Sequence, residues 1–465
     1  MTNDYRPTTI DYVLRLAWFS PLPPVPSGIA AYSADVLPRL AGDASIDRFV
    51  DGASGAPPGG QVFDAHDFVW KHQRAPYDLV VYQLGNAPWH DYMWAYLARY
   101  PGLVVLHDAG LHHARARHLL TERRFDDYRR EFRYDHPDAP EGVAEFAVEG
   151  LSGSIYYFWP MLRVVLRTAR LVAVHNARVA GDLREQYPGV RVDTIRMGVP
   201  DGVQTIEAAA EARARVRRDL RIPDAASVFV AFGRVTAEKR IEAILHALGA
   251  VAARGTNAHL VLVGDADGFP ALTALVAQHN LADRVHVTGY VADERVADHL
   301  AAADVCLCLR WPTAGETSAS WLRALAAARP TIVTALAHLA DVPTLDARTW
   351  RASHPSREPV AVSIDLLDED EALLAAMSRL AADAALRSGL ARAGHAYWSR
   401  EHRLELMAED YRRVMMEAAA RPAPRVDDLP SHFTDDYTAL ARQLARELGV
   451  SLDLLSSRPA DRPAG

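Results

Sequence analysis

Short apolar runs separated by helical stretches recur along this chain in two series, and that rhythm narrows the fold more than any other feature. In the first series Leu14–Phe19, Asp78–Gln83, Leu103–His107 and Leu171–His175 read as strands. In the second, Val228–Phe232, His259–Val263, Val285–Gly289, Val305–Leu309 and Thr331–Thr334 do so. Each run has the length of a strand, and helical patterns such as Ile29–Leu40 and 238 to about 253 stand between them. Strands that alternate with helices predict parallel sheets covered on both faces. Two such series in 465 residues predict two doubly wound α/β domains, joined near residues 198–225. Ligands of such folds bind beyond the carboxyl ends of strands, so the strand-end residues His107, Arg234, Gly264, Gly289 and Arg310 are the first to consider.

Apolar residues make up 49% of the chain and charged ones 24%, the proportions of a folded globular protein. A net charge of −8 provides no global basic field, which argues against a nucleic-acid partner. Cys306 and Cys308 alternate on a strand-like run and read as small buried apolar groups, not as a disulfide or zinc framework. There is no basic, then apolar, leader at the N-terminus and no run of about 18 apolar residues, so the expectation is a cytoplasmic protein.

Of the 51 basic residues only two are lysines, Lys71 and Lys239. Lys239 lies in Phe232-Gly233-Arg234-Val235-Thr236-Ala237-Glu238-Lys239-Arg240, just past a strand. Further on, Arg310-Trp311-Pro312-Thr313-Ala314-Gly315-Glu316-Thr317-Ser318-Ala319-Ser320 opens a helix. A strand-end Arg/Lys pair beside a hydroxyl-rich helix start supplies what a diphosphate needs: fixed cations and free backbone N–H donors. The alternative for Lys239 is a solvated surface lysine.

Residues 112–168 read as a helical insertion rich in arginine and aromatics, with Arg115, Arg117, Arg123, Arg124, Arg129, Arg130 and Arg133 followed by Tyr156-Tyr157-Phe158-Trp159. It is expected either to cradle a lipid-linked or anionic acceptor, or to touch a membrane surface as a peripheral contact. Glu122, Asp126, Asp127 and Glu131 interleave with the arginines, so a solvated, self-paired helix face competes with both readings. After Ala420 the chain turns Pro-rich, carries an amphipathic segment at Tyr437–Leu448, and is expected to fray at Ser456–Pro459.

In its order of motifs the chain resembles a retaining glycosyltransferase of the GT-B fold, family 4, over about residues 13–420. The resemblance rests on Ser20–Ala30, on Phe232-Gly233-Arg234 through Lys239, and on Arg310–Thr313 with Gly315–Ser320 and Arg323-Ala324-Leu325. It implies two Rossmann-like domains facing a central cleft. An N-terminal acceptor domain would span 1–198 and a C-terminal donor domain 199–392. A helix at 393–420 would return to the first domain, and an appended tail would occupy 421–465. It also implies sugar transfer from a nucleoside-diphosphate-sugar to a saccharide or lipid-linked acceptor, in a bacterial surface-polysaccharide or glycoconjugate setting.

The departing diphosphate's charge would then be met by Arg234 and Lys239, with N–H groups near Ser318 and Ser320, without a metal or other cofactor. Asp265-Ala266-Asp267 is a close acidic pair, but it falls where the family has a Gly-rich turn and reads as loop chemistry. By the same resemblance His107 contacts the donor sugar, Gly289-Tyr290-Val291 meets the base through backbone at Val291, and Gly233, Gly264, Arg310 and Thr317 line the donor site. Gly28 would let backbone approach the phosphates, or simply start a helix. Asp108 and Asn176 fall on the acceptor side.

One departure stands out. The family has two glutamates separated by seven residues, for the donor sugar and for ribose. Here the second position is Arg323 and the first is Gly315, beside Glu316. Glu316 is expected to serve the sugar. Arg323 cannot accept hydrogen bonds from ribose and is equally suited to a salt bridge. A nucleotide-sugar 2-epimerase and a non-catalytic binding subunit share the fold and remain as alternatives. A nicotinamide dehydrogenase lacks its Gly-x-Gly-x-x-Gly here.

Overall fold

The computed structural model describes residues 13–52, 62–151, 153–202, 205–435 and 438–450. Two seven-stranded sheets organise it, and every strand pair in both is parallel. The first comprises β1 (Leu14–Phe19), β2 (Ala44–Val50), β3 (Val62–Asp64), β4 (Leu79–Leu84), β5 (Leu103–Leu106), β6 (Leu171–Val174) and β7 (Val192–Thr194), in the order β3-β2-β1-β4-β5-β6-β7. The second comprises β8 (Ser227–Phe232), β9 (Ala258–Val263), β10 (Val285–Val287), β11 (Val305–Cys308), β12 (Thr331–Thr334), β13 (Thr344–Asp346) and β14 (Ala361–Ile364), in the order β10-β9-β8-β11-β12-β14-β13. The central strands β1, β4, β5, β6 and β9 are buried along nearly their whole length, as strands covered on both faces must be. Strand order reverses between β1 and β4 in the first sheet and between β8 and β11 in the second. A crevice opens at each of those positions.

Two chain crossings join the halves, and they lie against each other. The Val199 N–H donates to the His402 carbonyl at 3.0 Å, and a Cβ on Gly198 would stand 2.8 Å from the Arg403 carbonyl oxygen. Arg196 holds Asp410 through its backbone N–H at 2.9 Å and its Nε at 2.7 Å. Beyond the second crossing, the helix Leu404–Ala420 packs against the first domain. Its Tyr411, Val414 and Met415 are buried with Leu16, Trp18 and Val36. The residue-393 boundary expected between donor domain and returning helix falls inside a continuous helix, Ala384–Glu401.

Between β5 and β6 the insertion folds as helices His112–Thr121, Phe125–Asp135, Val143–Val148, Ile155–Phe158 and Arg163–Thr168. Most of its arginines are spoken for. Arg115 forms a buried fork with Glu131, and Arg117 meets Asp91 at 2.7 Å. Arg124 and Arg130 share Asp127, and Arg129 grips Glu145. These pairs match the self-paired helix face that the sequence offered beside a cradle for an anionic acceptor. In the tail, the amphipathic segment is the helix Ala439–Glu447, and the expected fraying at Ser456–Pro459 lies outside the described residues. No helix among the described residues is long and apolar enough to cross a membrane.

Candidate active site

The second crevice is built around two glycines. Gly233 follows β8 with φ +95°, and Gly264 follows β9 with φ +155°. A Cβ on Gly264 would stand 2.4 Å from the Gly233 carbonyl oxygen, so backbone packs on backbone where any side chain would intrude. Over Gly233 sit Lys239 and Ser320: a Cβ on that glycine would lie 2.7 Å from Lys239 Nζ and 3.3 Å from Ser320 Oγ. Lys239 occupies a single 3₁₀ turn, Ala237–Lys239, not the following helix, because Arg240 adopts φ +58° and interrupts the two. Its Nζ donates to the Phe232 carbonyl.

Burial, and then the positive charge of Arg310, push the Lys239 pKa down to about 7. A desolvated ammonium beside a second cation is stabilised by an arriving anion. Ser320 stands in the first turn of the helix Ala319–Ala326, whose N-cap is Ser318; the Ser318 hydroxyl accepts from the Trp321 N–H at 3.2 Å. The opening N–H groups of that helix thus border the same spot. Thr317 is half-buried just before the cap. Arg234 is exposed on the outer lip, its Nε 3.3 Å from where a Cβ of Gly268 would lie. Asp265 Oδ1 accepts from the Asp267 N–H at 2.9 Å, which makes that acidic pair a turn-forming element.

From the opposite domain, the segment after β5 reaches across. The Ala109 N–H donates to the Ala314 carbonyl at 2.7 Å and brings Asp108 toward Glu316. Asp108 Oδ2 accepts from the Asn86 N–H at 2.9 Å; burial, and then the nearby Glu316 charge, raise its pKa to about 6. Glu316 is fixed from three sides, with Oε1 on Arg310 Nε and Oε2 receiving the Thr313 hydroxyl and the Ala314 N–H, each at 2.8 Å. It faces the cleft as a rigid, oriented carboxylate.

The side chains show His107 and Asn176 engaged in contacts the sequence does not reveal, and Arg323 and Gly28 in the structural alternatives it left open. His107 does not present a free ring to the cleft: Nε2 contacts Gln83 Oε1 at 2.9 Å, and Nδ1 contacts His175 Nε2 at 3.3 Å. Tyr32 packs edge-on against the same ring at 4.7 Å, and burial holds its pKa well below the usual histidine value. Gln83 in turn reaches the Tyr411 hydroxyl at 3.0 Å, so the histidine is braced by the returning helix. Arg323 makes a two-pronged pair with Asp293 and approaches Asp35 of the other domain at 3.9 Å; it is a salt-bridge residue. Asn176 caps the helix Ala177–Gln186 and donates its amide to the His338 carbonyl at 2.9 Å, tying the domains together. Gly28 is the first residue of the helix Gly28–Leu40, with Ser27 as its cap and open space around it. Val291 is half-buried against the core face beside β8.

Several contributors carry no sequence signal of their own. A cavity of about 710 Å³ adjoins Asp108, Arg310 and Glu316, and its remaining wall includes Asn86, His113, Tyr157 and Glu238. Tyr157 donates its hydroxyl to Glu238 at 3.3 Å across the cleft. Asn86 follows β4 at the first crevice, where strand-end position alone could have found it; the insertion's side chains are brought in by tertiary packing alone.

Residues 226–383 match the family described as Glycosyl transferases group 1. Over 134 residues the chain is 30% identical to alpha-D-kanosaminyltransferase of Streptomyces kanamyceticus. That match spans 28% of this chain and 34% of the relative, so the chain covers about a third of the curated relative's length. Among solved structures, sucrose-phosphate synthase of Thermosynechococcus elongatus superposes with a TM-score of 0.60 at 17% identity, covering 87% of this chain and 98% of that one. HepE of Anabaena, solved with UDP and glucose, gives 0.59 at 15% identity, covering 87% and 99%. WaaG, a glycosyltransferase involved in lipopolysaccharide biosynthesis, gives 0.57 at 15% identity, again covering 87% and 99%. The two parallel-sheet domains have the architecture of GT-B glycosyltransferase structures.

Proposed function

We propose that this chain is a retaining glycosyltransferase of the family 4 type, which moves a sugar from a nucleoside-diphosphate donor to a saccharide or lipid-linked acceptor. One observation carries the reading: Lys239 and Ser320 converge over Gly233, with Arg310 alongside, at the crevice of the second sheet. Two neighbouring cations, both half-buried, form a receptor for a diphosphate. The match of residues 226–383 and the short similarity to a kanosaminyltransferase support the same chemistry.

In this reading Lys239 and Arg310 stabilise charge as it builds on the departing diphosphate, Arg234 closes the outer side, and the helix start at Ser318–Ser320 donates N–H groups. Glu316 accepts from donor-sugar hydroxyls, and Asp108 orients the acceptor hydroxyl. The anomeric carbon–oxygen bond to phosphate breaks, and the acceptor oxygen bonds to the same face. The acceptor's proton passes to the departing phosphate oxygen. Because the side-chain cations neutralise the leaving group, no metal is required. Glycoconjugate assembly is the setting, as WaaG's role in lipopolysaccharide biosynthesis illustrates for the fold.

The test is nucleotide release from a panel of UDP-, GDP-, ADP-, dTDP- and CMP-sugars, with chelator present and with mixed glycan acceptors in half of the reactions. Release from one donor, accelerated by acceptor and indifferent to chelator, is the expected result. Silence across the panel, without a thermal shift from any nucleotide, overturns it in favour of a non-catalytic binding subunit. Conversion of donor without acceptor consumption instead marks an epimerase.

A further inference from the structure

The cavity beside the candidate site has two chemically different ends. One face of the helix His112–Thr121 runs along it, through His113, Ala116, Arg117, Leu120 and Thr121. From residue 113 to 120 that wall extends about 10 Å. At the inner end, His113 packs on Tyr157 with ring centroids 4.6 Å apart, and Tyr157 leads to Glu238, Arg310 and the Asp108–Glu316 carboxylates. At the outer end the wall is Leu120, Phe125, Ala147 and Val148, with Thr121 as a polar member. Among the described residues lining that end the one cation, Arg117, already holds Asp91 and the Asn86 carbonyl. Next in sequence to these lining positions the insertion exposes Phe146 (52%), Leu151 (66%) and Phe158 (75%), while Tyr128, Phe132 and Met161 of the same segment are packed inward.

A small free saccharide would leave the outer half of this cavity with hydroxyls facing aliphatic carbon. An anionic body would meet there only a cation already committed to Asp91. We propose that the acceptor is an uncharged amphiphile: a hydroxylated head seated between Asp108 and Glu316, continuing into an apolar body along Leu120, Phe125 and Val148. This rests on the transferase reading above and narrows it, because the carboxylates fix which end of the acceptor receives the sugar.

The probe is a series of methyl, butyl and hexyl glucosides, titrated calorimetrically below their micelle concentrations into the full chain with nucleoside diphosphate present. Affinity is expected to rise about tenfold or more from methyl to hexyl, as added methylene groups leave water. In Leu120→Gln the rise shrinks to about threefold or less while methyl glucoside binding is unchanged. Phe125→Ser, on a more exposed wall, gives the same result should Leu120→Gln lower folding stability. Equal affinity across the series in the unmodified chain overturns the inference. The titration reads no turnover, so a chain-length dependence without nucleotide release from any donor would sink the transferase reading while leaving the amphiphile site standing.

Discussion

Gly233 and Lys239 share one small volume at the end of β8: a methyl group on the first would stand 2.7 Å from the Nζ of the second. The glycine's φ of +95° compounds the conflict, since an L-residue there is strained by about 1–2 kcal/mol. Gly233→Ala should therefore push the ammonium off its perch and lower nucleoside-diphosphate affinity by about tenfold or more. Calorimetric titration against the unmodified chain checks this. Unchanged affinity would mean that the lysine does not meet the phosphates.

Lys239 is costly to keep in the empty protein. Unfolded, it holds its proton to about 10.4; folded, burial and Arg310 lower that to about 7. Between those values the unfolded state binds more protons, so this group's contribution to stability improves as pH rises and is worst below 7. Lys239→Met should melt higher than the parent at pH 6, by about 2–4 °C, while transfer falls by about 100-fold or more. A melt at or below the parent's would contradict a destabilising, poorly solvated charge. Near-normal turnover would remove the lysine from the leaving-group role.

The same shift predicts proton uptake on binding. A diphosphate against Nζ raises its pKa, so at pH 8 the empty lysine is largely neutral and the bound one charged. Affinity should fall as pH climbs from 7 to 9, by at most about tenfold per unit. Titrations at pH 8 in buffers of different ionisation enthalpy should report the proton directly. A pH-independent affinity, or uptake that persists in Lys239→Met, would place the titrating group elsewhere.

Arg323 faces Asp293 and Asp35, and those two carboxylates would repel each other without it. The charge of Arg323 lowers the Asp35 pKa, but burial outweighs it and holds that pKa near 6. Arg323→Ala should lose about 1 kcal/mol of stability and leave nucleotide affinity within about threefold. Adding Asp293→Asn should recover part of the loss, as a denaturation cycle would show. A collapse of nucleotide affinity in the single variant would return Arg323 to the donor site.

The parallel architecture was legible because β1, β4, β5, β6, β8, β9 and β11 are apolar runs buried on both faces. β2 escaped detection because Asp47 and Arg48 interrupt it; the buried Asp47 is met by the Tyr77 hydroxyl at 2.5 Å and by Lys71 and Arg15 at 3.5 and 3.7 Å. β3, β7 and β13 have three residues each, and each holds an aspartate that breaks the apolar run, whereas the equally short β10 has none. In the site, strand ends pointed to Arg234, Gly264 and Arg310 because chain position alone determines where such residues lie. Side-chain commitments were beyond reach. The ring of His107 is claimed by Gln83 and His175, distant in sequence, and the charge at Arg323 is answered by Asp293, thirty residues earlier.

The two crossings at Val199 and His402 act as twin pins set side by side. With both pins on one line, a rotation of the sheets about it, like the covers of a book, would have to part the Ala109–Ala314, Asn176–His338 and Arg323–Asp35 contacts on the facing side. The helix Leu404–Ala420 travels with the front cover although it comes last in the chain. Through Tyr411 and Gln83, the ring of His107 rides with it at constant geometry. Lys239, Arg310 and Glu316 belong to the back cover. Opening the book would therefore part Asp108 from Glu316 without loosening either from its own supports, and the reacting halves would meet again already formed.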